Sequence, residues 1–329
     1  MGKVTYASVE EVSRVWQVSE RSARNYCAQG RVEGALLEGK TWKIPSDAQK
    51  PERKPRHSSK KETLLTVLKR EKEAGLKGGI YHKIQIDLTY NSNHIEGSKL
   101  THDQTRFIFE TNTIGITDKA VKVDDIVETV NHFRCIDLII EGARSKLTES
   151  FIKQLHFILK SGTTDSQKSW FRVGDYKMLE NEVGGNETTK PQEVADAMKA
   201  LLKEYNSKSE ITLDDILDFH VRFEAIHPFQ DGNGRVGRLI MFKECLKHNI
   251  VPFIITEELK MYYYRGLKNW NSVRGYLRDT CLTGQDAMKK ALDYFAQITL
   301  SCTKNQKYCA RLDNMHKVSE NIKDDKTSI

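Results

Sequence analysis

A mainly helical fold preceded by a small separate module is predicted by three features of this 329-residue sequence. Long segments place apolar residues three and four apart, the spacing that gives a helix one buried face. Capping residues stand at the ends of those segments. No alternation of strand-like with helix-like segments appears, which excludes a doubly wound sheet.

Composition agrees with a globular chain. With 38% hydrophobic and 29% charged residues it can build one large core and a smaller unit. The polar start MGKVTYASVEE and the lack of any apolar run of membrane-spanning length predict a cytoplasmic protein with no membrane contact. Six scattered cysteines without a CxxC pair read as reduced thiols. The net charge of +7 is localised: residues 1–61 hold 13 Lys/Arg against 7 Asp/Glu, and the remainder 39 against 38. Most of the excess lies in QKPERKPRHSSKK, where prolines, serines and like charges disfavour helix and strand. The segment 49–61 is therefore the predicted linker between a module at 1–48 and a helical domain at 62–303.

In the module, Ser8-Val9-Glu10-Glu11 is a capping-box pattern that opens a helix with Val9, Val12, Val15 and Trp16 as its apolar stripe. Ser19 caps a second helix, which turns Ala23, Tyr26 and Cys27 inward and Arg21, Arg24 and Asn25 outward, and Gly30 stops it. Arg31-Val32 and Thr41–Ile44, around a turn at Glu38–Lys40, predict a wing. This order resembles the winged helix-turn-helix modules of excisionase-type DNA-binding proteins. The resemblance implies that Arg21 and Arg24 would enter a DNA groove while linker cations meet phosphates. The module itself carries only about +1, so a solvated surface explains the same cations equally well.

In the larger domain, helices are predicted over Val123–Ala143, Thr148–Gly162, Pro191–Tyr205 and Thr212–Ile226, with Thr148 and Thr212 as N-caps. The last of these ends at HPFQDGNGRVGR (His227–Arg238). A glycine-rich loop feeding a helix leaves backbone amides unpaired and pointing outward, which is an anion cradle. Asp231 beside it can hold Mg²⁺ through one carboxylate plus phosphate oxygens. Arg235 and Arg238 can clamp further negative charge, and His227 at the entrance can take a proton near neutral pH. These parts fit nucleotide chemistry.

The stretch is identified as the HxFx(D/E)GNGRxxR signature of Fic domains: His227, Phe229, Asp231, Gly232, Asn233, Gly234, Arg235 and Arg238 fill every fixed position. Such a match arises by chance in fewer than about one chain in a million. The resemblance implies a Fic-fold helical domain with a β-hairpin flap, and transfer of AMP from ATP-Mg²⁺ to a Thr, Tyr or Ser hydroxyl of a target protein. It assigns His227 as general base, Asp231 as Mg²⁺ ligand, Gly232, Asn233 and Gly234 as the cradle of the α- and β-phosphates with Arg235 assisting, and Arg238 as the γ-phosphate contact. Gly234 stands where Doc-type relatives carry Lys, which favours adenylylation over phosphorylation.

Three further segments extend the resemblance. Tyr263, Tyr264 and Asn271 are similar to the family's YYxxL…N segment lining the adenosine pocket. Asn181, Glu182, Val183 and Gly184 fall where the flap aligns the target as an added strand. SNHIEG (Ser92–Gly97) matches the inhibitory-helix motif [S/T]xxxE[G/N], expected on a helix near 84–97. Helical spacing puts Ser92 and Glu96 on one face, where Glu96 can pair with Arg238 and block productive ATP binding. In some relatives the same glutamate positions water to remove AMP, so the net direction stays open. A DNA-binding regulator controlled by self-modification is the rival reading. Residues 304–329 are expected to form a polar tail, a homodimer is left open, and no pattern names the target.

Overall fold

The computed structural model describes residues 4–52, 62–115, 120–183 and 186–304. Arg53–Lys61 of the predicted linker, Gly184 of the expected flap and the tail beyond Lys304 lie outside the described residues. Residues 1–288 form one compact unit, which holds everything discussed below; residues 289–329 form another, described only as far as Lys304.

The N-terminal segment builds two short helices against a small sheet. Helix α1 (Val9–Val15) opens on the capping box of Ser8 and Glu11, and α2 (Glu20–Ala28) on Ser19, whose hydroxyl accepts from the Ser22 amide. Strands β1 (Tyr6–Ala7), β2 (Leu36–Glu38) and β3 (Thr41–Pro45) pair antiparallel in the order β1-β3-β2. Val9, Val12, Trp16, Ala23, Tyr26, Cys27, Val32 and Ile44 close a core of their own. The wing differs from the expectation: its outer strand is Leu36–Glu38, opposite Thr41–Lys43, not Arg31-Val32. Val32 is drawn out of a strand role because its side chain is buried in that core.

The helical domain comprises α3 (Leu64–Glu73), α4 (Ile80–Ile95), α5 (His102–Thr111), α6 (Val123–Gly142), α7 (Glu149–Lys160), α8 (Val194–Ser207), α9 (Leu213–Ile226), α10 (Asn233–Lys247), α11 (Glu257–Lys268) and α12 (Gly275–Lys304). A two-stranded hairpin, β4 (Glu182–Val183) and β5 (Asn186–Glu187), pairs Glu182 opposite Glu187. Arg21 and Arg24 of α2, expected to face outward, instead face α12: Arg24 pairs with Asp286 at 3.2 Å and donates to Thr283 at 3.1 Å, and Arg21 donates to Gln285 at 2.5 Å. Oxygens on α12, distant in sequence, draw both guanidinium groups inward. The centre of the domain is α10. Its sequence suggests an amphipathic helix, yet every residue from Arg235 to Leu246 is buried, because α3, α4, α6, α7 and α9 pack around it. Even Lys243 and Glu244 are enclosed and pair at 2.7 Å, with Lys243 also donating to the Ser145 carbonyl and Tyr205 to Glu244. Among the described residues, no helix is long and apolar enough to cross a membrane.

Candidate active site

The site forms where α9 ends and α10 begins. His227 caps α9 in the left-handed conformation (φ 51°, ψ 62°), its amide bonded to the Phe223 carbonyl at 2.9 Å. The chain then turns inward. Phe229 is fully buried and stacks on the His156 ring at 3.9 Å between centroids, which anchors the loop to α7. The Asn233 side chain bonds the Phe229 amide and carbonyl, both at 2.8 Å, and so closes the turn. Gly232, at φ +84°, starts α10. The first bond inside that helix runs from the Val236 amide to the Gly232 carbonyl, so the amides of Asn233, Gly234 and Arg235 have no helical partner. Backbone amides are thus left unpaired at the start of α10, while the Asn233 side chain is spent on shaping the loop.

His227 is largely enclosed. Burial, with the nearby Lys177 ammonium adding to it, pushes its imidazole down to about 4, so the ring is neutral and able to accept a proton at physiological pH. Lys177 itself is buried; it donates to Asn181 Oδ1 at 2.7 Å and Thr188 Oγ1 at 2.6 Å, and its amide donates to the Pro228 carbonyl at 2.8 Å. With Asn181 donating to the Phe229 carbonyl, these bonds tie the base of the β4–β5 hairpin to the loop. Of the expected flap residues, Glu182 and Val183 lie on β4 and Asn181 supports its base.

Asp231 lies in a dense charge network. Its Oδ2 accepts from Lys160 at 2.7 Å and Arg235 at 3.2 Å; Lys160 also donates to Glu128 at 2.5 Å, and Arg235 pairs with the same Glu128. Burial opposes ionisation of Asp231, but Arg235 and then Lys160 overcome it and hold the carboxyl well below its usual range. Arg235 is thus a buried strut under the loop, correcting its expected contact with phosphate: its Nη1 and Nη2 are held by the carboxylates of Glu128 and Asp231. Among the described residues no group of three or more acidic, His or Cys side chains converges to hold a metal. The fit to Mg²⁺ is still good, since an ionised, half-exposed carboxylate beside an anion cradle matches the one-carboxylate-plus-phosphate habit of that ion.

Arg238 turns the other way, toward α4. It donates to Ser92 Oγ at 3.0 Å, to the Ser92 carbonyl at 2.9 Å and to Glu96 Oε1 at 2.7 Å. Glu96 caps α4, with Gly97 beyond it at φ +96°. The carboxylate presses against Gly234: a Cβ there would collide with Glu96 and touch Arg238 Nη1 at 3.0 Å. An anion thus already rests beside the first turn of α10, and only a residue without a side chain leaves it room.

A model of the Fic/DOC family matches residues 146–245, the stretch running from before α7 through the whole loop and most of α10. This chain carries a Fic domain. It is 27% identical over 220 residues to the protein adenylyltransferase Fic of Drosophila melanogaster, covering 64% of this chain and 42% of the relative, so it spans well under half the length of the curated relatives it matches. A solved Fic-domain-containing signalling protein from Bacteroides thetaiotaomicron superposes with a TM-score of 0.56 at 26% identity, covering 70% of this chain and 97% of that one. Fic-1 of C. elegans shares the fold, with a TM-score of 0.58 at 16% identity over 88% of this chain and 75% of that one.

Within this Fic domain, the three residues expected at the adenosine pocket divide. Tyr264 is exposed and can offer a ring face, and Asn271 lies on an exposed turn. Tyr263 cannot: it is buried in the core with its hydroxyl 2.5 Å from His220 Nε2, because α11 turns that side inward against Leu277 and Trp270. Sequence reading missed four contributors: His156, Lys160, Glu128 and Lys177. His156 receives the Gly174 amide at Nδ1 and faces the Asp231 carbonyl with Nε2, fixing the loop through both nitrogens. None of the four carried a local signal, because Glu128 lies 107 residues from the Arg235 it meets and Lys160 resembles an ordinary last-turn helix cation.

Proposed function

We propose that this Fic domain is a cytoplasmic protein adenylyltransferase held in a self-inhibited state. The observation that carries the reading is the position of Glu96, whose carboxylate sits against Gly234 and on the arginine otherwise available to a terminal phosphate. ATP would place its phosphates along the free amides at the start of α10, and Asp231 would hold Mg²⁺, which offsets phosphate charge when bound. Neutral His227 accepts the proton of a target Thr, Tyr or Ser hydroxyl as the oxygen attacks the α-phosphorus. The bond to the β-phosphate oxygen breaks, and pyrophosphate leaves with its electron pair. The hairpin, anchored through Lys177 and Asn181, offers an edge along which the target segment extends. Tyr264 and Asn271 border the adenosine.

Incubation with labelled ATP and lysate, followed by mass spectrometry, tests these roles. Glu96→Gly should label proteins above the wild type, and Glu96→Gly with His227→Ala should not label at all. Equal labelling by wild type and both variants would overturn the assignment.

A further inference from the structure

Lys177 lies just ahead of the β4–β5 hairpin, 4% exposed, and no carboxylate pairs with its ammonium among the described residues; Glu180 reaches it only through its field. Its protons go instead to three neutral oxygens: Asn181 Oδ1 at 2.7 Å, Thr188 Oγ1 at 2.6 Å and the Ile226 carbonyl at 3.4 Å. Asn181 is the residue before β4 and Thr188 the residue after β5, so the ammonium closes the hairpin across its open end. Ile226 and Pro228 flank His227, and the Lys177 amide donates to the Pro228 carbonyl at 2.8 Å. One residue therefore holds both ends of the hairpin and both neighbours of the base.

Burying an ammonium without a counter-ion is costly, and a pair of apolar side chains would close a hairpin at lower cost. What an apolar contact cannot do is fix direction. Bonds from a charged donor are short and oriented, and three of them, converging on oxygens from two separate chain segments, leave the nitrogen one position. Strands of two residues each are too short to hold their own place, so the edge that the hairpin offers is set, relative to His227, by what grips its ends. Thr188 adds to the grip by donating to the Asn181 carbonyl at 2.9 Å, and Asn181 by donating to the Phe229 carbonyl at 3.1 Å. The ammonium also acts through its field. With burial it disfavours the imidazolium form of His227, against the Glu224 backbone, Asp231 and Glu96, which favour it.

We propose that Lys177 is the positioning residue of the transfer step, holding the edge on which the target segment lies at a fixed distance and angle from the nitrogen that takes the hydroxyl proton. The inference deepens the adenylyltransferase reading and rests on it. Nucleotide binding is not involved, because the Lys177 ammonium bonds none of the amides at the start of α10, nor Asp231 or Arg238. Loss of Lys177 therefore leaves ATP bound and the target hydroxyl misplaced, where a shift of about 1 Å costs on the order of a hundredfold in rate.

The test uses the full-length chain carrying Glu96→Gly as parent, with labelled ATP-Mg²⁺ and lysate proteins as acceptors. Lys177→Met replaces an uncompensated buried cation by an apolar side chain of similar length, a change that keeps folds intact; Thr188→Val removes one acceptor and leaves the charge. Lys177→Met should lower labelling at least about tenfold while ATP affinity by calorimetry stays within about twofold of the parent. Hydrogen exchange should quicken at the hairpin amides and not in α10. The acid limb of its residual labelling should move to higher pH, because the charge opposing protonation of His227 is gone. Thr188→Val should lower labelling less and leave the acid limb in place. Labelling by Lys177→Met equal to the parent's, or a loss matched by an equal loss of ATP affinity or by faster exchange in α10, would overturn the positioning role. An acid limb that stays put in Lys177→Met, or moves equally in both variants, would overturn the part assigned to its charge. A parent that labels nothing would instead overturn the adenylyltransferase reading, and the inference with it.

Discussion

Arg238 and Arg24 are both nearly inaccessible, at 5% and 1% exposure, and each joins one element to another, yet their surroundings differ. Arg238 joins α10 to α4 and spends its donors on three acceptors of Ser92 and Glu96. Arg24 joins α2 to α12 with one carboxylate and one hydroxyl, and leaves two nitrogens empty. Burial alone therefore says little about how firmly an arginine holds. What counts is how many of its donors find oxygen once water is gone, since each unmade bond keeps its desolvation cost. By that measure Arg238 is the more completely paired of the two.

The largest expected difference comes from removing each arginine. Arg238→Met strands the Glu96 carboxylate beside buried surface and should cost about 3 kcal/mol in urea unfolding. Arg24→Met strands the Asp286 carboxylate in the same way but also removes two unpaired buried nitrogens, so it should cost less, about 1 kcal/mol. Similar costs for the two would break the comparison. Next in size is Gly234→Ala, whose methyl collides with the Glu96 carboxylate. Calorimetry should show tighter ATP binding than in the wild type as Glu96 is displaced; unchanged or weaker binding would mean that the carboxylate does not stand in the way of nucleotide.

Acid should separate the two regions further. His132, His156 and His220 are pushed down to about 3 and His227 to about 4, burial being the first cause in each. All four belong to the helical domain, and residues 4–52 contain no histidine. A group whose folded pKa is depressed binds its proton more readily when unfolded. The stability it contributes is complete above the unfolded value near 6.5 and is lost as pH falls from there toward the folded value. Between pH 6.5 and 4, hydrogen exchange should accelerate in α9 and α10 well before it does in α1. Simultaneous acceleration would show that the two regions unfold together. The smallest effect concerns rate: AMP transfer by Glu96→Gly should hold down to about pH 5 and halve near 4, where His227 takes up its proton. Halving near 6.5 would mean a solvated imidazole.

Much of the site was legible because it is contiguous. Gly232, with its positive φ, and the unpaired amides that follow it are consequences of adjacent residues, so GNGR announces an anion cradle before any packing is known. The capping boxes at Ser8 and Thr212 are local in the same way. Reading failed where the answer depended on what a side chain meets across the fold. Arg235 and Arg238 share a helix and the same residue type, but one is drawn to Glu128 and Asp231 and the other to Ser92 and Glu96. Tyr263 and Tyr264 are neighbours in sequence, and only the direction of α11 decides which of them is enclosed.

The sequence by itself determined that a helix would open on a glycine turn with unpaired amides, with an imidazole at one edge and a carboxylate at the other, because backbone geometry and residue chemistry act over a few positions. Tertiary structure alone decided which carboxylates and carbonyls each arginine meets, and how many of its donors they satisfy. Those distinctions depend on oxygens supplied by distant helices, and the strength of a buried charge is set by its neighbours in space.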